Sequence, residues 1–300
     1  MTKRLINLQS TDYEHPFDKA ALEAMRNVPL FDSVVNFVLN WTTIKWHVVE
    51  LCGSAFHVTK KSCPELYQLV EDTAKTLEID ILPEIYTKWT YGLNAYTTGY
   101  KKDTILVVYS GAVDLLPEPE LRYIVGHEMG HIKSGHVLYH VMASVFSEVM
   151  QQMGILASAA TPIQLALGHW NRMSEFTADR AGLLACQDLD AALGATMKMA
   201  GIPQKYFNVT NPHVFAEQAQ EFLSKYGDTT NTIIRNISVL NNSHPWTVLR
   251  AAELVKWVES GEYEKVLNKV PTKICPKCGR EVNATSIKCP ICGYSGDNWK

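Results

Sequence analysis

The chain has no excess of charge of either sign. Its 28 Lys and Arg against 31 Asp and Glu give a formal net charge of −3, which excludes bulk electrostatic attraction to nucleic acid or to an anionic membrane. It also lacks an apolar run fit to cross a membrane. Such a helix needs roughly 20 mostly apolar residues. The one uncharged window of that length, Val149 to Gly168, is interrupted by Gln151, Gln152, Ser158, Thr161, Pro162 and Gln164. It reads as a buried or amphipathic helix, so any membrane contact is expected to be peripheral. Residues Met1 to Asp12 hold no apolar stretch of signal-peptide length, and export by that route is not expected. A disulfide framework is missing too. Of seven cysteines, Cys52, Cys63 and Cys186 are scattered and odd in number, which suits a reducing compartment. A cytoplasmic location is expected, with membrane association at most peripheral.

What is present is ordinary globular material, 46% hydrophobic and 20% charged over 300 residues, enough for one large domain and a small one. The pattern suggests three parts: an N-terminal helical region (1–61), a main domain (62–265) and a cysteine module (272–300). Phe17 to Leu51 carries apolar residues at helical spacing, as in Phe31, Val34, Val35, Val38 and Leu39. Pro64 to Leu77 reads as a helix with Ser62 as its N-cap. Glu84–Thr90, Asn94–Tyr100 and Thr104–Tyr109 read as strands punctuated by Gly92, Gly99 and Gly111. Helices then follow from Pro117 onward, with breaks expected at Thr161-Pro162, Gly201-Ile202-Pro203 and Asn211-Pro212, and the last spanning Pro245 to about Glu259. Strands first and helices after, without βαβ alternation, predict an α+β class.

Within the first long helix lies Gly126-His127-Glu128-Met129-Gly130-His131. Residues four apart on a helix differ by only ~40° around its axis, so His127 and His131 project from one face and can meet one zinc ion. Glu128, next to the first histidine, can take a proton from water without itself binding the metal. A catalytic zinc wants a third protein ligand and an open position. Glu175 and Asp179, again four apart, supply a candidate third ligand and a carboxylate to orient a ligating histidine. Their neighbours Phe176, Ala178, Ala181 and Leu183 predict a buried helix rather than a solvated acidic face. His136 is not expected to be a ligand. On a continuing helix it would sit ~140° from His131, which suits a supporting histidine.

Cys275-Pro-Lys-Cys278-Gly and Cys289-Pro-Ile-Cys292-Gly are two matching knuckles. Four thiolates at this spacing form a closed tetrahedral zinc site with no room for water, and so a structural one. The module resembles a zinc ribbon, for which protein recruitment is favoured over nucleic acid.

Several segments together resemble the HtpX-like zinc metallopeptidases, the group that includes the CAAX prenyl proteases. These are Asn94-Ala95-Tyr96 with Thr104 to Val108, then Gly126 to His136, then Glu175 to Gly182, then Ser243-His244-Pro245 with Arg250. The resemblance implies a gluzincin domain, mainly helical with a small sheet. It implies that Asn94, Ala95 and Tyr96 line the cleft and hold an extended substrate by strand addition. It also implies that His244 and Arg250 stabilise the oxyanion formed on the attacked carbonyl. The expectation is a zinc metalloendopeptidase acting on extended or unfolded polypeptide, with one catalytic and one structural Zn2+. The competing expectation is a catalytically silent or latent gluzincin scaffold that recruits a protein partner through its zinc ribbon.

Overall fold

The structure is a computed structural model, and it describes residues 2–40, 43–99, 103–153, 157–226 and 246–296. His244 and its neighbours Ser243 and Pro245 lie outside the described residues.

The chain is mostly helical with a small sheet. The first segment divides into α1 (Pro16–Arg26), α2 (Phe31–Asn40) and α3 (Thr43–Ser54). Helix α1 begins on Pro16, and the His15 ring accepts the Phe17 N–H as its cap. Ala21 and Met25, then Phe31, Val34 and Val38, form the buried stripes of α1 and α2. They pack against α7 (Val137–Gln152) and the first half of α8 (Ala157–Cys186), around Met142, Phe146, Ile163 and Trp170. The uncharged Val149–Gly168 window straddles the α7–α8 junction. No helix among the described residues is long and apolar enough to cross a membrane.

Four strands, β1 (Phe56–Val58), β2 (Glu84–Lys88), β3 (Ala95–Thr98) and β4 (Ile105–Tyr109), form one sheet in the order β1-β2-β4-β3. β2 and β4 run parallel, and the other two pairings are antiparallel. Central β4 buries Ile105, Leu106, Val107 and Val108 on both faces, whereas β3 is the edge. Helix α4 (Pro64–Thr76) starts one residue later than a Ser62 cap requires. Its N-cap is Cys63, without a side-chain bond, because the Ser62 hydroxyl is already bonded to Thr59 N and His57 O.

After the short α5 (Ser110–Leu115), helix α6 (Glu118–Lys133) is buried nearly all round from Leu121 to His131, sandwiched between α8 and β3. Helix α8 holds Pro162 inside it, where a break was expected. The proline lies within two turns of the helix's described start, so it forfeits one hydrogen bond without dividing the buried part. Two further helices follow that bear on the site: α9 (Leu189–Met199) and, past α10 (His213–Tyr226), α11 (Thr247–Glu259). A short helix at Glu262–Leu267 was not legible in the sequence, and a hairpin of Thr272–Ile274 with Glu281–Asn283 carries the cysteine module. A domain limit at residue 61 would cut a continuous core. Leu5, Leu8 and Tyr13 share one cluster with Leu77, Leu106, Val125 and Leu184.

Candidate metal centre

The approach of α6 to α8 builds the site. A Cβ added at Gly130 would stand 2.5 Å from the Ala181 Cβ, and one at Gly126 would overlap Ala185. Facing small residues let the two backbones come close enough for α8 to aim Glu175 between the α6 histidines. His127 Nε2 and His131 Nε2 are 3.2 Å apart. Glu175 Oε2 is 3.5 Å from the first and Oε1 3.4 Å from the second. All three side chains are buried.

Asp179, one turn beyond Glu175, binds four donor atoms. Its Oδ1 accepts from Tyr123 Oη at 2.8 Å, His127 Nδ1 at 2.9 Å and Arg250 Nη2 at 2.6 Å, and its Oδ2 accepts from Arg250 Nε at 2.8 Å. Burial would raise the Asp179 pKa, but the charge and bonds of Arg250 outweigh it and hold the carboxyl well below its usual range. A carboxylate only accepts, so His127 Nδ1 carries a proton, and Nε2 is the nitrogen turned toward Glu175 and His131. Burial presses the His127 pKa down, yet Asp179 and Glu175 lift it to about 9; burial dominates for His131, which falls below its ordinary value.

The helix carrying the histidines stops just past them. Gly135 has φ +73°, its N–H bonds Ile132 O, and His136 N–H bonds His131 O. This is the paired C-terminal motif that a left-handed glycine permits. His136 is therefore not on a continuing helix, and the chain folds back to set its Nδ1 3.1 Å from His131 Nδ1. That contact is on the far side of the His131 ring from Nε2, so His136 supports the cluster rather than adding a fourth donor to it.

This donor set fits a zinc-sized cation. Two nitrogens bonded tetrahedrally at ~2.0–2.1 Å would stand about 3.3–3.4 Å apart, close to the observed 3.2 Å. Two imidazole nitrogens converging with a carboxylate in a buried place suit a cation between them. Glu128 lies beside this cluster, and its Oε2 accepts from Thr97 Oγ1 of β3 at 3.1 Å. Both belong to a cleft of 350 Å³ whose walls include Asn94, Ala95, Tyr96 and Thr247. Asn94 directly precedes β3 and its carbonyl accepts Tyr109 N–H at 3.0 Å. Ala95 and Tyr96 pair with Val108 and Val107 of β4.

Arg250, expected at the oxyanion, lines the same cleft, where its guanidinium is committed to carboxylates. Its guanidinium is 3% exposed and spends Nε and Nη2 on Asp179, with Nη1 3.5 Å from Glu175 Oε2. It anchors the carboxylates behind the site. Sequence reasoning missed Tyr123 and Thr97. Tyr123 had a signal, since it precedes His127 by one turn of the same face. Thr97 had none.

In the cysteine module, Cys275 Sγ is 3.6 Å from Cys292 Sγ and Cys278 Sγ is 3.8 Å from Cys289 Sγ. Four thiolates at ~2.3 Å from zinc stand about 3.8 Å apart, so this set fits as well. The two knuckles match in backbone too. Gly279 N–H bonds Cys275 O and Gly293 N–H bonds Cys289 O, each glycine with positive φ.

A family model described as "Peptidase family M48" matches residues 60–258. Among curated relatives, the "Plastoglobule-localized metallopeptidase 48, chloroplastic" of Arabidopsis thaliana is 29% identical over 269 residues, covering 89% of this chain and 78% of that protein. A "Protease HtpX homolog" of Ralstonia pickettii is 25% identical over 265 residues, covering 78% of this chain and 87% of its own. One of the same description from Burkholderia multivorans is 24% identical over 263 residues, covering 78% and 88%. No solved structure matches. The family match spans two thirds of the sequence and includes both the His127–His131 helix and the Glu175–Asp179 helix, and on that ground the chain belongs to peptidase family M48.

Proposed function

We propose that this chain is a zinc metalloendopeptidase of gluzincin architecture that cuts extended or unfolded polypeptide. His127, His131 and Glu175 are its zinc ligands and Glu128 its general base. The observation that carries this reading is the convergence of His127 Nε2, His131 Nε2 and the Glu175 carboxylate to within 3.2–3.5 Å of one another, with Glu128 in the same cleft. Zinc bound there would supply Lewis acidity, lowering the pKa of water toward ~7 and polarising the scissile carbonyl.

The chain's own groups do the rest. Asp179, held by Arg250 and Tyr123, keeps the His127 proton on Nδ1. Thr97 occupies Glu128 Oε2, which leaves Oε1 to receive the proton of the attacking water and pass it to the leaving amine. Strand β3 has β4 on one side and the cleft on the other, so an extended peptide can add to its open edge, starting at Asn94 and running past Tyr96. That register sets the scissile bond beside Glu128, because Thr97 lies on the same strand.

The second zinc belongs to Cys275, Cys278, Cys289 and Cys292, where it would fold the module. The exposed Ile274, Ile287 and Ile291 around it favour a protein partner for this module. A peripheral place at a lipid surface would accord with the Arabidopsis relative's name.

The test is Glu128→Gln on an unfolded protein substrate. The variant should keep its metal and lose turnover by roughly 10²–10⁴-fold, the usual worth of a general base. Undiminished proteolysis by pure variant would refute the assignment.

A further inference from the structure

Helix α1 lies outside residues 60–258, the span of the family match, yet it reaches the metal centre. Asp18 on α1 is 1% exposed. Its Oδ2 is 3.1 Å from His136 Nε2 and 2.6 Å from Thr177 Oγ1, and its Oδ1 accepts from Trp170 Nε1 at 2.9 Å. His136 Nδ1 in turn meets His131 Nδ1 at 3.1 Å. With His136 neutral, these contacts have one consistent set of protons. Thr177 Oγ1 accepts the His15 N–H and donates to Asp18. Asp18, a carboxylate, accepts from His136 Nε2–H, so His136 Nδ1 carries a lone pair. His131 Nδ1–H donates to that lone pair, and His131 Nε2 is left bare on the side of His127 and Glu175. Asp18 thus stands to His131, at one remove, as Asp179 stands to His127.

We propose that Asp18 is a positioning residue for the metal ligand His131, acting through His136, so that the N-terminal helix is a working part of the metal centre. The inference rests on His131 being a ligand. Its content is that Asp18 fixes which ring nitrogen of His131 is free for the cation. A purely structural Asp18 would hold α1 against Trp170 and Thr177 and leave metal affinity alone.

Asp18→Asn separates the two. Trp170 can only donate, so the amide oxygen of the variant must stay at the Oδ1 position and the NH2 must face His136. His136 Nε2 then has to accept and its proton moves to Nδ1, against the Nδ1–H of His131. The clash is relieved by shifting the His131 proton to Nε2, the nitrogen the cation needs. Thr177 can accept from the new NH2, so the fold keeps its bonds. Adding Trp170→Phe frees the amide to turn its oxygen to His136 and restores the original proton arrangement.

The experiment measures zinc transfer from full-length protein to a chromophoric chelator, alongside thermal unfolding of the metal-free chain. The four-cysteine zinc serves as internal standard. Wild type should release two zinc ions in two classes. In Asp18→Asn the non-cysteine class should bind 10–100-fold more weakly, the usual range for a group behind a ligating histidine, while the metal-free protein, less stable by what the carboxylate contributed, still unfolds in one cooperative transition. Trp170→Phe added to it should recover most of that affinity. His136→Phe keeps the ring but removes both nitrogens, which cuts the chain at the next link and should give a similar loss, so the test stays decisive if Asp18→Asn fails to fold. Wild-type affinity in a folded Asp18→Asn chain, or in His136→Phe, would overturn the proposal while leaving the His131 assignment standing. A wild-type protein that releases only the cysteine-bound ion would overturn both.

Discussion

Replacing Gly130 by Ala adds one methyl group at the seam where α6 crosses α8, and the structure sets its consequence. The new Cβ would lie 2.5 Å from the Ala181 Cβ, with the Ala178 backbone 3.2 Å away. Carbon atoms prefer roughly 3.5–4.0 Å, so the helices must open by about 1 Å or more. His131 and Glu175 project across that seam, and their 3.4 Å separation would widen in step. Two donors bonded at ~2.0–2.2 Å to one ion can be no more than about 4.2 Å apart, so little slack exists. Overpacking of this kind costs about 1–3 kcal/mol, while Ala gains about 0.5–1 kcal/mol over Gly in a helix. The net is a loss of about 1–2 kcal/mol, a few degrees in Tm for a domain of this size, with weakened zinc binding. Thermal unfolding of metal-free protein and zinc competition with a chelator read the two effects separately. Ala181→Gly in the same chain removes the opposing methyl and should return both toward wild type. A Gly130→Ala protein of undiminished stability and metal affinity would refute the claim that the small-residue seam sets the ligand geometry.

Arg250→Met should cost about 3–5 kcal/mol in chemical denaturation, because it strands the buried Asp179 charge. The lower end is expected, since Tyr123 and His127 still donate to it, and a variant of wild-type stability with only reduced turnover would return Arg250 to the oxyanion. Acid should destabilise the metal-free fold through carboxyls whose folded pKa values are depressed. Glu253 is lowered by its bond to His15, and for Asp18 the bonds from His136, Thr177 and Trp170 outweigh a burial that would raise it. A depressed folded value means the unfolded chain binds the proton more tightly. Their contribution is therefore full above the unfolded range near ~4 and is lost as pH falls through it toward the folded values. Glu253→Gln should flatten part of that acid limb in denaturation curves taken between pH 6 and pH 3, and an unchanged limb would rule Glu253 out as its source.

Much of the site was legible because helical spacing is local. The four-residue steps from His127 to His131 and from Glu175 to Asp179 fix a shared face before any tertiary contact is known, and the burial of their helices follows from Phe176, Ala178, Ala181 and Leu183. The four cysteines were equally plain. What escaped was whatever depends on chain reversal or distant pairing. His136 was misplaced on an extended helix because the turn at Gly135 brings it back over His131. Asp18 and Thr97 meet the site only through the packing of α1 and β3, which no spacing encodes. The role of Arg250 followed from likeness rather than geometry, and its bonds to Asp179 and approach to Glu175 depend on packing that spacing does not encode. In the fold, Pro162 looked like a break because a proline's cost is local while the packing of α8 is not.

Metal content by mass spectrometry of the purified full-length protein bears most directly on the whole account. Two zinc ions per chain are predicted for the wild type, falling to one when His131 is replaced by Ala. A wild type that holds a single ion, with the His131→Ala protein holding the same, would contradict it.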